Sequence, residues 1–129
     1  MAVNSLENIM VNFHGIFHIE VPDTVTCTNH TVMKSIANDV MFCGDFTPDT
    51  TGVLGVLDED VRPGSALALP ALVGDSEFTV VAVSVAVDGT VSVPAGTEGL
   101  VHMNGLQFHI NSGIYSWDDA QGDGGEDAG

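Results

Sequence analysis

Histidine is the residue type whose spacing in this chain comes closest to a site for chemistry. His14 and His18 are four positions apart, which is the spacing of a zinc-binding pair on a helix. The zincin pattern also needs a glutamate directly after the first histidine, and Gly15 stands in that place. On a strand the two side chains would share a face but lie about 13 Å apart, which is too far for one metal ion. This pair therefore does not predict a metal site.

A second pair, His102 and His109, is better placed because it flanks the dipeptide Asn104-Gly105. Across a hairpin closed at that dipeptide, the two imidazoles are diagonal neighbours within reach of a shared ion. A metal would need a third ligand, and the sequence identifies none. We therefore predict solvent-facing imidazoles, whose charge changes near about pH 6.5, and no bound metal or other cofactor.

The two cysteines, Cys27 and Cys43, lie sixteen positions apart and match no CxxC or Cys/His zinc spacing. We predict two buried thiols that pack as small apolar side chains. A disulfide between them is the alternative that the sequence leaves open, although a reducing cytoplasm disfavours it.

Motifs of the common enzyme classes do not occur in the sequence. The chain contains no GxSxG nucleophile elbow, no P-loop and no GxGxxG dinucleotide motif. Carboxylates such as Asp58, Glu59 and Asp60 are numerous enough for a paired-acid glycosidase. The aromatic platforms that sugar sites use are limited to Tyr115 and Trp117. The chain is therefore predicted not to be an enzyme.

The charge of the chain excludes several classes of partner. Its 18 acidic side chains face two basic ones, Lys34 and Arg62, and the formal net charge is -16. Nucleic-acid binding and docking on an anionic membrane both need several basic residues, so we expect neither partner. No apolar stretch approaches the roughly 20 residues that span a bilayer, and residues 1–5 show no secretion signal. We expect the chain to be made in a cytoplasm.

The composition indicates one folded domain with a polar end. Apolar residues make up 44% of the chain and charged residues 16%, whereas acidic disordered chains combine high charge with low hydrophobicity. We predict a single β-rich domain over residues 1–115. Residues 116–129 are rich in glycine and aspartate and predict a flexible acidic tail.

The N-terminal part begins with a helical pattern. Ser5 can cap a short helix in which Leu6, Ile9, Met10 and Phe13 recur at helical spacing. Gly15 and the alternation that follows it then change the period from helix to strand.

Strand-like alternation continues over the next residues. Residues 13–21 alternate as a strand that ends at Pro22, and residues 25–29 alternate again. We therefore predict a strand pair joined by a Pro22-Asp23 turn. The segment 31–42 remains open between a helix and a third strand, because its apolar residues repeat at every fourth position while strands flank it.

The best-determined part of the sequence is a hairpin within residues 80–93. A three-residue loop, Val87-Asp88-Gly89, would pair Val85 with Val91 and Val83 with Val93. One face then carries the valines. The opposite face carries small residues that let another sheet or chain approach closely: Ala82, Ser84, Ala86, Thr90 and Ser92.

A second hairpin is predicted at Asn104-Gly105, the strongest short-range signal for a type I′ turn. Pairing outward from the turn sets Met103 against Leu106 and Val101 against Phe108. Together the two hairpins predict an all-β fold, mainly an antiparallel meander that forms a small β-sandwich or barrel.

Residues 91–116, VSVPAGTEGLVHMNGLQFHINSGIYS, resemble the short β-meanders of capsid accessory proteins in tailed-virus particles, whether of bacteriophages or archaeal viruses. These families are the head fibres and the capsid decoration or cement proteins. The likeness covers about a fifth of the chain and consists of small residues, Gly-rich turns and an apolar strand after Asn-Gly. No functional residues of these families can be carried over to this chain. It implies a small, β-rich protein, commonly a homotrimer, that clamps neighbouring capsomers without catalysis.

From this resemblance we expect a non-enzymatic structural protein that decorates or cements the capsid surface of a virion through oligomeric β interfaces. Its expected partners are the major capsid protein and further copies of itself, in a homotrimer. The candidate contacts with the shell or between subunits are Phe13, Ile16, Phe17 and Ile19. The alternatives are a small β-barrel metal-dependent enzyme or ligand-binding module that uses the histidine-bearing face, and a salt-adapted cytoplasmic binding protein.

Overall fold

The computed structural model describes residues 13–110 and, in the first strand, the side chains from Gly15 onward. Within that range the protein is all-β, as predicted, with one turn of 3-10 helix at Glu59–Val61 and no α-helix. The strands are β1 (Phe13–Glu20), β2 (Thr26–Cys27), β3 (Thr31–Ser35), β4 (Asp39–Phe42), β5 (Phe46–Thr47), β6 (Val53–Leu57), β7 (Leu67–Val73), β8 (Thr79–Val85), β9 (Thr90–Ser92), β10 (Val101–His102) and β11 (Gln107–His109). The predicted helix before Phe13 and the predicted tail at 116–129 lie outside the described residues.

The strands form one antiparallel sheet that curls into a half-barrel, with the order β11-β4-β3-β1-β6-β9-β8-β7-β10-β5-β2. Strand β1 joins the two parts of this sheet. Its first part pairs with β3, and its last residues, Ile19 and Glu20, pair with β6. The curl turns the inner faces of both parts toward one core.

The core follows from the period-2 alternation of the strands. In β1, Ile19 is buried while Ile16, His18 and Glu20 are exposed, so the strand contributes one face to the interior. The largest fully buried side chains come from nearly every part of the sheet, and they are Phe42, Phe46, Ile19, Leu54, Leu57 and Met103.

The β8–β9 hairpin has the predicted three-residue loop. Val85 opposes Val91, and Gly89 adopts a positive φ of 93° in the loop. Val83, Val85 and Val91 are fully buried, which confirms the predicted valine face. Strand β9 ends at Ser92, one residue before the predicted pairing of Val83 with Val93.

The second predicted hairpin is wrong, although its turn forms. The Leu106 N–H donates to the Met103 carbonyl oxygen at 2.9 Å, and Gly105 has a φ of 94° while the φ of Asn104 is not positive. This is the type II pattern, which splays the flanking strands, and not the predicted type I′ turn. Strand β10 instead pairs with β7 and β5, and β11 pairs with β4.

Other elements hold the backbone of this turn. Asp45 Oδ1 accepts hydrogen bonds from the N–H groups of Met103 and Asn104, each at 2.9 Å. The Gly105 N–H donates to the Phe42 carbonyl oxygen at 2.8 Å, and the Phe42 N–H donates to Leu106 at 2.9 Å. The polar groups of the turn therefore have partners at the end of β4 and in the loop after it, and β10 and β11 separate on either side.

The predicted pairing of residues 25–29 with β1 is also wrong. Strand β1 ends at Glu20, before Pro22, as expected, but β2 pairs with β5. Strand β1 pairs with β3 over most of its length, which sets Phe17 opposite the fully buried Val32. Residues 24–28 carry threonine at every second position, so they offer the core less apolar surface than β3 does.

The segment 31–42, left open between helix and strand, forms the β3–β4 hairpin. Its turn depends on two polar residues. The Ser35 hydroxyl oxygen accepts hydrogen bonds from the N–H groups of Ala37 and Asp39, both at 3.1 Å. Asn38 takes a positive φ of 68°, which asparagine tolerates better than most residues.

Candidate interaction surface

The residues predicted to contact a partner lie on β1 and divide between its two faces. Ile16 is 68% exposed on the outer face. Phe17 points inward and packs against the core, with the Lys34 ammonium 5.9 Å from its ring centroid. Ile19 is 1% exposed and belongs to the core, so its side chain does not reach a partner. The backbone of Phe13 pairs with Ser35, and its side chain lies outside the described part.

Ile16 continues into a row of outward side chains across four strands. It opposes Met33 on β3, which opposes Met41 on β4, which opposes Gln107 on β11. The Gln107 amide nitrogen lies 4.0 Å from the Met41 sulfur. We call Ile16, Met33 and Met41 the outer row. Methionine adapts its shape to a partner, and such residues are common at protein-binding surfaces.

The structure separates His102 and His109, which sequence reasoning had placed side by side. They lie on β10 and β11, which do not pair with each other. His102 Nε2 donates to the Gly74 carbonyl oxygen at 2.7 Å, and its ring meets the edge of Phe78 at a centroid distance of 5.6 Å. His109 Nδ1 lies 3.1 Å from Asp39 Oδ1. The predicted shared face was wrong because it depended on the Asn104-Gly105 hairpin.

A different histidine pair is brought together by the pairing of β1 with β3. His18 and His30 stack with ring centroids 5.7 Å apart and an interplanar angle of 15°. His18 also lines an open groove with Glu20, Asp58 and other polar residues. No group of three or more His, Cys, Asp or Glu side chains within the described range is arranged to hold a metal ion. No pattern in the sequence predicts this pair, because its contact depends on the long-range register of β1 with β3.

Both cysteine thiols are free, and each side chain is partly buried. Cys27 packs against the core, and the Cys43 sulfur lies 3.7 Å from the Met41 carbonyl oxygen. The reading as two small apolar side chains fits Cys27 best. The structure has no disulfide between Cys27 and Cys43.

A second group of exposed apolar side chains, outside β1, lies on the β7–β8 hairpin. Leu72 is 48% exposed, Phe78 50% and Val80 67%. Leu72 opposes Val80 across the two strands, and Pro70 opposes Ala82 on the same face. We call these residues, Pro70, Leu72, Phe78, Val80 and Ala82, the hairpin patch.

The sequence predicted part of the hairpin patch, the small residues of β8. Ala82 and Ser84 are exposed, as the predicted small-residue face requires. Val80 lies two residues before Ala82 in the same strand, so it belongs to the same outer face. The predicted face began at Ala82 and did not include it. Leu72 could not be placed from its local sequence, because its outward direction depends on the pairing of β7 with β8 and β10.

Several carboxylates hold loops together. Hydrogen bonds from the hydroxyl groups of Thr24 and then Thr51 lower the pKa of Asp49. The Thr90 N–H donates to Asp88 Oδ1 at 3.0 Å, and hydrogen bonds from Thr90 lower the pKa of Asp88. These acidic residues therefore act in local structure.

No helix in the described part of the chain is long and apolar enough to cross a membrane. Comparison of the chain with protein-family models, with curated proteins and with solved structures gave no significant match.

Proposed function

We propose that this chain is a non-enzymatic structural protein of a virus particle, which decorates or cements the capsid surface through protein interfaces. The major capsid protein would be one partner and further copies of the chain the other. The observation that carries the proposal is the outer row, in which an exposed isoleucine lies in line with two methionines on neighbouring strands.

Two further features support a role in protein binding. Single exposed apolar residues are normal on protein surfaces, whereas residues aligned across paired strands make a continuous surface. Both the outer row and the hairpin patch are of this second kind. The resemblance of residues 91–116 to capsid accessory proteins supplies the class of partner.

The experiment is co-sedimentation of the full chain with assembled capsid shells of the virus that encodes it. We expect wild-type protein to pellet with the shells and Ile16→Glu to lose binding at least about tenfold, because the new carboxylate would be desolvated in the contact. Val87→Glu is the matched control, since Val87 is a 54% exposed aliphatic residue in the β8–β9 loop. Failure of the wild-type protein to bind shells at any salt concentration would refute the proposal.

The alternative, a metal-dependent enzyme or ligand-binding module, depends on a face shared by His102 and His109. The structure does not bring these side chains together, because β10 and β11 do not pair with each other. The His18–His30 stack provides no third ligand within the described range. The capsid-surface role is therefore the better-supported proposal.

A further inference from the structure

An open groove lies along the β1–β3 pair, beside the β3–β4 turn. Its volume is about 370 Å³, and pockets that take small organic groups range over about 300–1,000 Å³. Residues of β1, β3 and the turn line it, and they are Gly15, Phe17, Lys34, Ser35, Ile36 and Asn38. We call it the Lys34 groove.

The Lys34 groove combines apolar side chains with a positive charge. Phe17 is half-buried, and Ile36 is 72% exposed. The Lys34 ammonium lies 5.9 Å from the centroid of the Phe17 ring. No carboxylate of residues 13–110 forms an ion pair with this ammonium. The groove therefore suits a ligand that has an aromatic or apolar body and an adjacent carboxylate.

Charge distinguishes this groove from two others in the described part. The groove beside His18 is lined by Glu20 and the acidic run 58–60, and a third groove is lined by Asp49 and Glu98. No carboxylate lines the Lys34 groove. In a chain with a net charge of -16, an acidic segment therefore meets less repulsion at the Lys34 groove than at either of the others.

The chain leaves the described part beside this groove. The Ile110 N–H donates to the Asn38 carbonyl oxygen at 2.9 Å, and Asn38 is one of the lining residues. Trp117 follows seven positions later, and seven extended residues span about 23 Å. The sequence Asn-Ser-Gly at 111–113 favours a turn. Residues 111–117 are therefore long enough to return to the groove.

The segment after Ile110 also has the chemistry that suits the groove. Trp117 is an aromatic side chain followed at once by Asp118 and Asp119, and residues 111–129 contain no basic side chain. Residues 1–12 adjoin the groove as well, because Phe13 pairs with Ser35. They contain no aromatic side chain and a single carboxylate, so they match the groove less well.

We infer that residues 117–119 bind in the Lys34 groove of their own chain. The Trp117 ring packs against Phe17 and Ile36, and the carboxylates of Asp118 and Asp119 pair with the Lys34 ammonium. An exposed ion pair contributes little by itself. A tethered segment, however, has a local concentration in the mM range, so a weak contact is enough to hold it. The flexible tail predicted at 116–129 then begins after Asp119.

Fluorescence of the untagged full chain tests the inference, because Trp117 is its single tryptophan. We expect wild-type emission at a shorter wavelength than in urea, with Trp117 shielded from quenching by acrylamide. Both properties should be independent of protein concentration. Shielding that appears only as the protein is concentrated would mean that the segment binds a second copy, and would overturn the inference.

Ile36→Ser tests the apolar side of the groove. We expect the emission to shift toward longer wavelength and the quenching of Trp117 to increase, because the ring loses one of its two apolar neighbours. Ile16→Ser is the matched control and should change neither property, since Ile16 is 68% exposed on the outer face of β1. Far-ultraviolet circular dichroism checks the fold of both variants.

The charged side is tested by replacing Asp118 and Asp119 together with asparagine. We expect the ratio of bound to free segment to fall about threefold, the size expected for an exposed ion pair. Replacing Asp123 and Asp127 with asparagine makes the same change of charge farther along the segment and should leave the ratio unchanged. Lys34→Gln should match the first pair, and combining the two changes should add little, because they remove the same interaction.

Two results would overturn the inference: a wild-type Trp117 that is quenched as readily in buffer as in urea, or a shielded Trp117 that neither Ile36→Ser nor Lys34→Gln exposes. The second result would place the ring elsewhere, for example on the hairpin patch. The inference stands apart from the proposed function, because these measurements use the purified chain alone. Failure to bind capsid shells would refute the capsid role and leave the groove and its segment untouched.

Discussion

Two turns of this protein have similar sequences, Asp88-Gly89 and Asn104-Gly105, yet only the first joins strands that pair with each other. Gly89 and Gly105 have φ values of 93° and 94°. The turn at Gly89 connects β8 to β9, which pair with each other. The turn at Gly105 connects β10 to β11, which belong to distant positions in the strand order.

The surroundings of the two glycines also differ. Gly89 lies against neighbouring structure: its carbonyl oxygen accepts the Leu57 N–H at 2.9 Å, and the Arg62 side chain lies beside it. The position at which Gly105 would carry a Cβ has no described atom within 4 Å. A turn motif therefore determines the local reversal of the chain, whereas hydrogen-bonding partners elsewhere in the sheet determine whether the flanking strands pair with each other.

The largest expected effect is that of Gly89→Ala. An alanine there would combine left-handed strain of about 1–2 kcal/mol with a clash, because its Cβ would lie 2.7 Å from Arg62 Nε and 2.9 Å from the Leu57 carbonyl oxygen. We expect the free energy of unfolding in urea to fall by about 3 kcal/mol. Gly105→Ala is the matched control and should cost only about 1 kcal/mol, for strain alone. Equal losses at the two sites would contradict the comparison.

A smaller effect is expected at Asp45, the residue that diverts the second turn. Asp45→Ala would leave the N–H groups of Met103 and Asn104 without the carboxylate they now share. We expect a loss of about 2 kcal/mol of unfolding free energy, measured by urea denaturation. Asp23→Ala removes an exposed carboxylate from the Pro22 turn and should change stability little. If Asp45→Ala left the free energy of unfolding unchanged, the turn would be held by its other contacts.

The smallest effect is a dependence on pH at the first turn. Hydrogen bonds from Thr90 lower the folded-state pKa of Asp88 below the unfolded value of about 3.9. Its stabilising contribution is therefore present above that value and is lost as the pH falls through the folded pKa. We expect the Thr90 amide to lose protection from hydrogen exchange in this acidic range.

Asp88→Asn removes the titrating group and tests this assignment. In the variant, protection at Thr90 should no longer fall over this acidic range, because the asparagine side chain does not titrate there. An unchanged pH dependence in the variant would assign it to another carboxylate.

The sequence was most informative where the contacts are local. Alternation over β1 and β8 predicted strands with one buried face, and the three-residue loop set Val85 opposite Val91, as the structure has them. The β3–β4 hairpin stayed ambiguous because its turn has no glycine and depends on Ser35 and Asn38. Its apolar repeat fitted a helix equally well.

The pairing of strands that are far apart in the chain could not be predicted from local sequence patterns. The partner of β2 is β5, and the partner of β11 is β4. Neither follows from neighbouring residues, since each pairing competes with a plausible hairpin nearer in the chain. The candidate surface shows the same limit. Ile16 was predicted to be a contact residue, whereas the outer row and the hairpin patch emerge only when separate strands are brought together.

The most direct test of the difference between the two turns is hydrogen exchange at the amides of Met103 and Asn104, measured by NMR in the wild type and in Asp45→Ala. The account predicts that both amides lose protection in the variant, because Asp45 Oδ1 accepts their hydrogen bonds. The amide of Thr90, which donates to Asp88 Oδ1 in the first turn, should keep its protection. Unchanged protection of Met103 and Asn104 in Asp45→Ala would contradict the account.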